Sequence, residues 1–352
     1  MEFGCVFASR VADHDLVALA ESLGFSTAWF YDSQMIYSDV YATMALAADR
    51  TSRIRLATGV AVPSTRMAPV VAHSIATIAQ LAPGRVELGV GAGNTARLTM
   101  ALPPLKLGRL QREVRTIRAL LRGETVTHHA EGVERPVRFL HPDRGFLHLA
   151  DPIPITISAL GPKTLAWAGA EADGHLTWNI SPGGLREART LLAAGAERAG
   201  RDAATIPSKA IVPLALLRRG ETAASPRVLS QLAPFITNFL HVQVEWDDTL
   251  LPSDPNLAGV IRAYGEYAAK LPEATRHLTL HEGHLVYARE DEREFLTPEV
   301  AQAAALIGEP TAVTEHIHEL EAAGLSHFAF QVTDQDPVRE LRDFAHHVMA
   351  RY

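Results

Sequence analysis

The chain has 352 residues, 47% hydrophobic and 21% charged, the balance of a water-soluble globular protein with ample length for a large core. Its net charge of -7 excludes the concentrated basic surface that nucleic acid requires. One cysteine, Cys5, leaves no disulfide framework or thiolate metal cluster; no apolar run is long enough to span a membrane; and Met1-Glu2-Phe3 enter a strand-like run without a secretory leader, so a cytoplasmic chain is expected.

Residues 3–8 read as a strand, and Leu16, Val17, Leu19, Ala20 and Leu23 then form one helical face stopped by Gly24. Strands follow at 27–31, 54–60 and 85–90, separated by helical patterns at 41–48 and 69–81, with Pro83-Gly84 as a turn. A basic amphipathic helix covers 107–121. The polar stretch 123–151 breaks this rhythm and reads as an inserted hairpin or loop. Strands at 153–157, 175–178 and 210–217 then alternate with helices at 162–170 and 185–199. A larger insertion, about 219–300, holds helical patterns at 228–239 and 257–271. A helix at 311–323, a strand at 326–332 and a last helix begun by Asp336-Pro337 complete the chain. Eight strands, each followed sooner or later by a helix, predict one (β/α)8 TIM-barrel domain over 1–352, with insertions after strands 4 and 7. The same alternation fits a doubly wound sheet.

In a barrel the chemistry sits on the loops after the strands' C-terminal ends. After strand two stands Asp32, able to orient a ligand, take a proton or cap a turn. After strand three, Gly59 lets the backbone approach a flat ligand, and Arg66 offers a charge to an anion. After strand four comes Gly89-Val90-Gly91-Ala92-Gly93-Asn94. It lacks the third glycine of a dinucleotide fingerprint, no helix is expected at once, and the run suits a backbone passing beneath a ring. After strand five, Pro162 opens a helix whose free amides, beside Lys163, form an anion site. Lys163 is one of only four lysines, with Lys106, Lys209 and Lys270. After strand six, Thr177, Trp178 and Asn179 offer polar and aromatic groups.

The 16 histidines do not form a metal motif: His316 and His318 point apart on one helix, and His281-Glu282-Gly283-His284 is not the spacing of a zinc protease. His281 and His284 are acid/base candidates if the second insertion folds over the barrel mouth. Cys5 reads as a small buried hydrophobe. The apolar content of 228–246, Trp246 included, fits a core helix, a lid or a dimer contact.

As an ordered set, Leu23-Gly24-Phe25, Ala28 to Asp32, Ile54 to Val60, Pro83 to Asn94, Gly161 to Leu165 and Ala172-Asp173-Gly174 resemble the bacterial luciferase-like flavin- and deazaflavin-dependent oxidoreductases. Within them the chain is most similar to the methylenetetrahydromethanopterin reductase type, which uses coenzyme F420. The resemblance implies a TIM barrel holding the ring at its mouth and a non-prolyl cis peptide at Gly59-Val60. It places Asp32, Asn94 and Ser158 on ring-contacting loops, and Gly161, Pro162, Lys163, Thr177 and Asn179 around the phosphate and side chain. Ser33 and Asn94 stand where sugar-phosphate dehydrogenases of this kind carry His and Glu, so that subtype is not expected. The implied activity is hydride transfer between F420 and a small organic substrate, an activated C=C, a C=N or an alcohol. The alternatives are an FMN-dependent monooxygenase fed by a separate flavin reductase, and a non-catalytic flavin-binding protein. A homodimer is the expected assembly.

Overall fold

The computed structural model describes residues 1–178, 180–245, 252 and 254–352. In chain order its strands are β1 (Glu2–Phe7), β2 (Thr27–Phe30), β3 (Arg55–Thr58), β4 (Val86–Val90), β5 (Val126–Ala130), β6 (Val133–Val137), β7 (Ile155–Ser158), β8 (Gly174–Thr177), β9 (Ser208–Leu216), β10 (Leu306–Gly308) and β11 (Leu325–Gln331). Strands β1, β2, β3, β4, β7, β8, β9 and β11 pair in that order, all parallel, and β11 returns to β1. This closure makes the sheet a (β/α)8 barrel and excludes the doubly wound alternative, whose sheet has two edges. Strands β5 and β6 form an antiparallel hairpin, and β10 pairs with the end of β9.

The helices are α1 (His14–Ser22), α2 (Val40–Arg50), α3 (Ala68–Leu81), α4 (Thr95–Leu98), α5 (Leu107–Leu121), α6 (Pro162–Glu171), α7 (Pro182–Arg198), α8 (Pro226–Glu245), α9 (Pro255–Lys270), α10 (Arg276–His281), α11 (Pro298–Ala304), α12 (Pro310–Ala322) and α13 (Pro337–His347). Asp336 caps α13 by accepting from the Arg339 amide. Strands β2 and β4 are buried throughout, because helices cover one face and the barrel interior takes the other. The main core lies between strands and helices and includes Cys5, Phe30, Leu56, Leu88 and Phe328. Cys5 is fully buried, and burial raises its thiol well above the ordinary range, which removes it as a nucleophile.

Inside the barrel, Val6, Trp29, Ala57, Leu176, Ile211 and Ala329 form a separate apolar layer. Register puts Val6, Trp29 and Ala57 side by side on neighbouring strands. A buried polar set adjoins it. Glu87 accepts from Lys209 Nζ and Thr156 Oγ1, both at 2.5 Å, while Lys209 Nζ lies 5.5 Å from the centre of the Trp29 ring.

One expectation needs correction. The glycine-rich turn after β4 does lead at once into a helix, the single turn α4, which begins at Thr95 after Asn94 and ends at Leu98; Ala101 beyond it is in a left-handed conformation. Of the readings open for 228–246, the described part, 228–245, is a core helix. In α8, Val228, Leu232, Phe235, Ile236 and Leu240 pack with Ile261 and Tyr264 of α9 and Val300 of α11 into a second core beside the barrel. Trp246 lies outside the described residues.

Candidate active site at the barrel mouth

The mouth is built where β2, β3, β4 and β7 end. The Gly59–Val60 peptide is cis. Val60 and Tyr31 pack on the inner apolar layer and form its upper surface. A Cβ on Gly91 would lie 2.7 Å from Val60 Cγ2 and 3.5 Å from Ser158 Cβ, so the turn after β4 closes on Val60 only because it has no side chain there. Gly93, at a φ of +71°, approaches Val62 in the same way. Val60, the turn at Gly91 and Ser158 thus lie together at the strand ends, beside the inner apolar layer on which Val60 and Tyr31 pack. Asn94 is half-buried, and its side chain caps no amide of α4.

Beyond Ser158 the chain leads to the start of α6. Gly161 precedes it with no side-chain cap, Pro162 is its first residue, and a Cβ on Gly161 would meet open space. Gly161, Pro162 and Lys163 are exposed, so the first-turn amides and the ammonium face the same solvent. Uncapped first-turn amides beside an ammonium favour negative charge. Thr177 is buried at the end of β8, Trp178 is exposed, and Asn179 lies outside the described residues.

Asp32 has a different setting. Its two carboxylate oxygens accept from Arg66 Nη1 at 2.7 and 2.8 Å, and Oδ1 also accepts from Gln34 Nε2 at 2.5 Å. Arg66 Nη2 donates to Asp39, and its guanidinium lies 5.2 Å from the centre of the Tyr41 ring. Arg66 therefore binds the loop after β2 rather than standing free for an anion. Burial raises the Asp32 carboxyl above its usual range although Arg66 pulls the other way.

The loop residues also reach the segment between β9 and β10. Tyr31 donates to Gln331 of β11 and stacks on Tyr37 at 5.8 Å, and Tyr37 Oη donates to the His284 carbonyl at 2.8 Å. His284 Nδ1 lies 3.5 Å from Thr95 Oγ1. His281 and His284 are buried and their ring centres are 5.8 Å apart. His281 ends α10 instead of lying in a loop. Behind it stands His241 of α8, 5.7 Å away. Glu292 accepts from His241 Nε2 at 3.0 Å and from Tyr264 Oη at 2.6 Å. Burial opposes ionisation of Glu292, but those hydrogen bonds hold its carboxyl below the usual range. His281 Nε2 lies 2.8 Å from Glu245 Oε1 without the alignment of a hydrogen bond. Burial first, then the imidazoles of His281 and His241, push His284 well below the ordinary histidine value. Among the described residues no cluster of His, Cys, Asp and Glu has the arrangement to hold a metal ion.

Sequence reasoning missed Arg66 as the partner of Asp32, and missed His241 and Glu292 altogether. His241 and Glu292 lie on separate elements, with no local motif to mark them. Arg97, in α4, was also unmarked. It is buried, with Nη1 donating to Ser64 and Nε to the Pro103 carbonyl, and it joins the loops after β3 and α4.

Comparison with known proteins agrees with this architecture. Over its full length the chain superposes on the coenzyme F420-dependent tetrahydromethanopterin reductase of Methanopyrus kandleri (TM-score 0.70, 22% identity, 99% of that chain). It does so likewise on an F420-dependent secondary alcohol dehydrogenase (TM-score 0.67, 18% identity, 99% of that chain). At these identities the likeness speaks for the fold. In sequence it is 36% identical over 186 residues to a 5,10-methylenetetrahydromethanopterin reductase of Methanolobus tindarius, covering 52% of this chain and 55% of that one. It is 35% identical over 206 residues to an F420-dependent glucose-6-phosphate dehydrogenase of Nakamurella multipartita, covering 53% and 58%. The matches thus span little more than half the length of these relatives. The model of the luciferase-like monooxygenase family matches residues 12–327, and the chain, with its closed barrel and its mouth built on Gly59–Val60, belongs to that family.

Proposed function

We propose that the protein is an oxidoreductase that uses coenzyme F420 to transfer hydride to or from a small organic substrate, an activated C=C, a C=N or an alcohol. The observation that carries this reading is the shape of the mouth. A planar ring would lie on Val60 and Tyr31, where the turn at Gly91 has no Cβ to intrude, and the uncapped start of α6 with Lys163 would take an anionic tail. Sequence relatives named for F420-dependent chemistry support it, among them an F420-dependent hydroxymycolic acid dehydrogenase of Mycobacterium tuberculosis at 32% identity over 208 residues.

When bound, the reduced deazaflavin supplies hydride from its C5. The chain's part is to hold ring and substrate face to face and to exclude water. Val60 would back the ring, with Asn94 and Ser158 at its polar edge and Thr177 beside the side chain. Gly161, Pro162 and Lys163 would hold the anionic end. Asp32 serves this site as an anchor: with both oxygens engaged by Arg66, it fixes the loop after β2.

The test is a titration of the purified protein with oxidised F420 and with FMN in parallel, followed by absorbance and fluorescence. It is followed by turnover with a panel of secondary alcohols, activated alkenes and imines. F420 binding with hydride transfer is expected. FMN binding alone, with oxygen consumption in the presence of a flavin reductase, would move the assignment to monooxygenation. Tight F420 binding with no turnover across the panel would favour a non-catalytic binder.

A further inference from the structure

Hydride transfer from an alcohol or amine, or to the matching carbonyl or imine, leaves one proton to place, and the barrel loops offer little to place it on. Asp32 has its oxygens committed to Arg66 and Gln34. Ser33 and Asn94 carry no group that titrates near neutrality. The segment between β9 and β10 brings in what the loops lack. It sets the His284 ring against Thr95, the residue after Asn94, and fastens the His284 backbone to the loop after β2 through Tyr37.

We propose that His284 is the residue that exchanges a proton with the substrate during hydride transfer. This rests on the F420 reading above. In the oxidising direction the C–H electron pair leaves the substrate carbon with its hydrogen, as hydride to oxidised F420. The pair of the breaking O–H or N–H bond becomes the second bond of C=O or C=N, and the proton passes to His284 Nε2. In the reducing direction the same proton returns. Nδ1 faces Thr95 Oγ1, and Nε2 makes no hydrogen bond among the described residues.

The surroundings suit that role. His284 is buried, so water does not compete for the ring, and burial with the neighbouring His281 and His241 keeps the imidazole neutral and ready to accept. The groups packed around it are Tyr37, Thr95 and His281, with His241, Glu245 and Glu292 behind.

The deciding experiment is NMR of the full chain labelled with 15N in its histidines, with F420 fluorescence read on the same samples. The His284 ring signals are assigned from His284→Gln. Saturation with oxidised F420 is expected to move the His284 ring nitrogens and leave those of the exposed hairpin residue His129 in place, and His284→Gln is expected to bind F420 as the wild type does. With the substrate found in the panel, His284→Gln loses about a hundredfold or more in turnover, and added imidazole restores part of it. Should His284→Gln prove unstable, Thr95→Val supplies a second variant, expected to shift the His284 signals without loss of the fold. Saturating F420 with unmoved His284 signals overturns the proposal, as does full turnover in His284→Gln. Absence of any F420 binding by the wild type overturns the cofactor reading, and the proposal falls with it.

Discussion

Arg66 Nη1 reaches both carboxylate oxygens of Asp32, at 2.7 and 2.8 Å, and so ties the loop after β3 to the loop after β2. Asp32 is 5% exposed and Arg66 is largely covered, so the pair is isolated from solvent screening. Replacing Arg66 by Met strands a buried carboxylate, at a cost of about 3–5 kcal/mol near neutral pH. The Asp32 carboxyl is already raised by burial, so its ionisation weighs against the folded state as pH rises. The expected result in urea unfolding is a variant whose deficit is largest at pH 7–8 and shrinks on acidification, where Asp32 takes up a proton. An equal deficit at all pH values would contradict the account.

Glu340 makes a second pH-dependent contact. Its carboxylate accepts from the Thr333 amide and hydroxyl, fixing the loop that leaves β11 to the first turn of α13. Burial pushes the group up to about 7. A carboxyl raised in the folded state stabilises it while protonated, and that contribution is lost as pH climbs from the unfolded value near 4.5 through about 7. Wild-type stability should therefore fall by roughly 2–3 kcal/mol between pH 4.5 and 8 from this group alone. In Glu340→Gln that slope should flatten, which denaturant midpoints at pH 5 and pH 8 will show.

Inside the barrel, the Glu87–Lys209 pair is buried on both sides. Lys209→Met should destabilise the protein by about 3–5 kcal/mol because it leaves Glu87 buried without its partner. The double variant Glu87→Leu, Lys209→Met removes both charges and should recover much of the loss. A double-variant cycle in urea measures the coupling directly, and strict additivity would show that the pair does not act as one unit.

The mouth can be probed without turnover. Gly91→Ala sets a methyl 2.7 Å from Val60 Cγ2 and should abolish cofactor binding while leaving the far-ultraviolet circular dichroism unchanged. Lys163→Ala removes an exposed charge beside an open helix start, a smaller change, and should weaken F420 by about three- to tenfold, more at low salt than at high. Fluorescence titration at two ionic strengths checks both.

The barrel could be read from local pattern. Strands buried on two faces appear as short apolar runs, and each is punctuated by a helix with a recognisable stop such as Gly24 or Gly324. The close-packed turn after β4 was readable too, since Gly91 and Gly93 approach Val60 and Val62 at distances that a Cβ would not allow. Partners were not readable. Thr95 and His284 lie 189 positions apart, and Glu87 and Lys209 lie 122 apart. Nothing in the local run of either residue names the other.

The sequence alone therefore determined the elements, their order and the residues placed at the strand ends, because periodicity and turn chemistry are properties of neighbouring residues. Closure of the sheet decided the rest. Bringing β11 back to β1 aligns side chains from distant strands in one interior, turns Arg66 from a free cation into the partner of Asp32, and sets a buried histidine from the segment after β9 against the loop after β4. Those pairings depend on strand register and on which loops meet across the mouth, and both exist only in three dimensions.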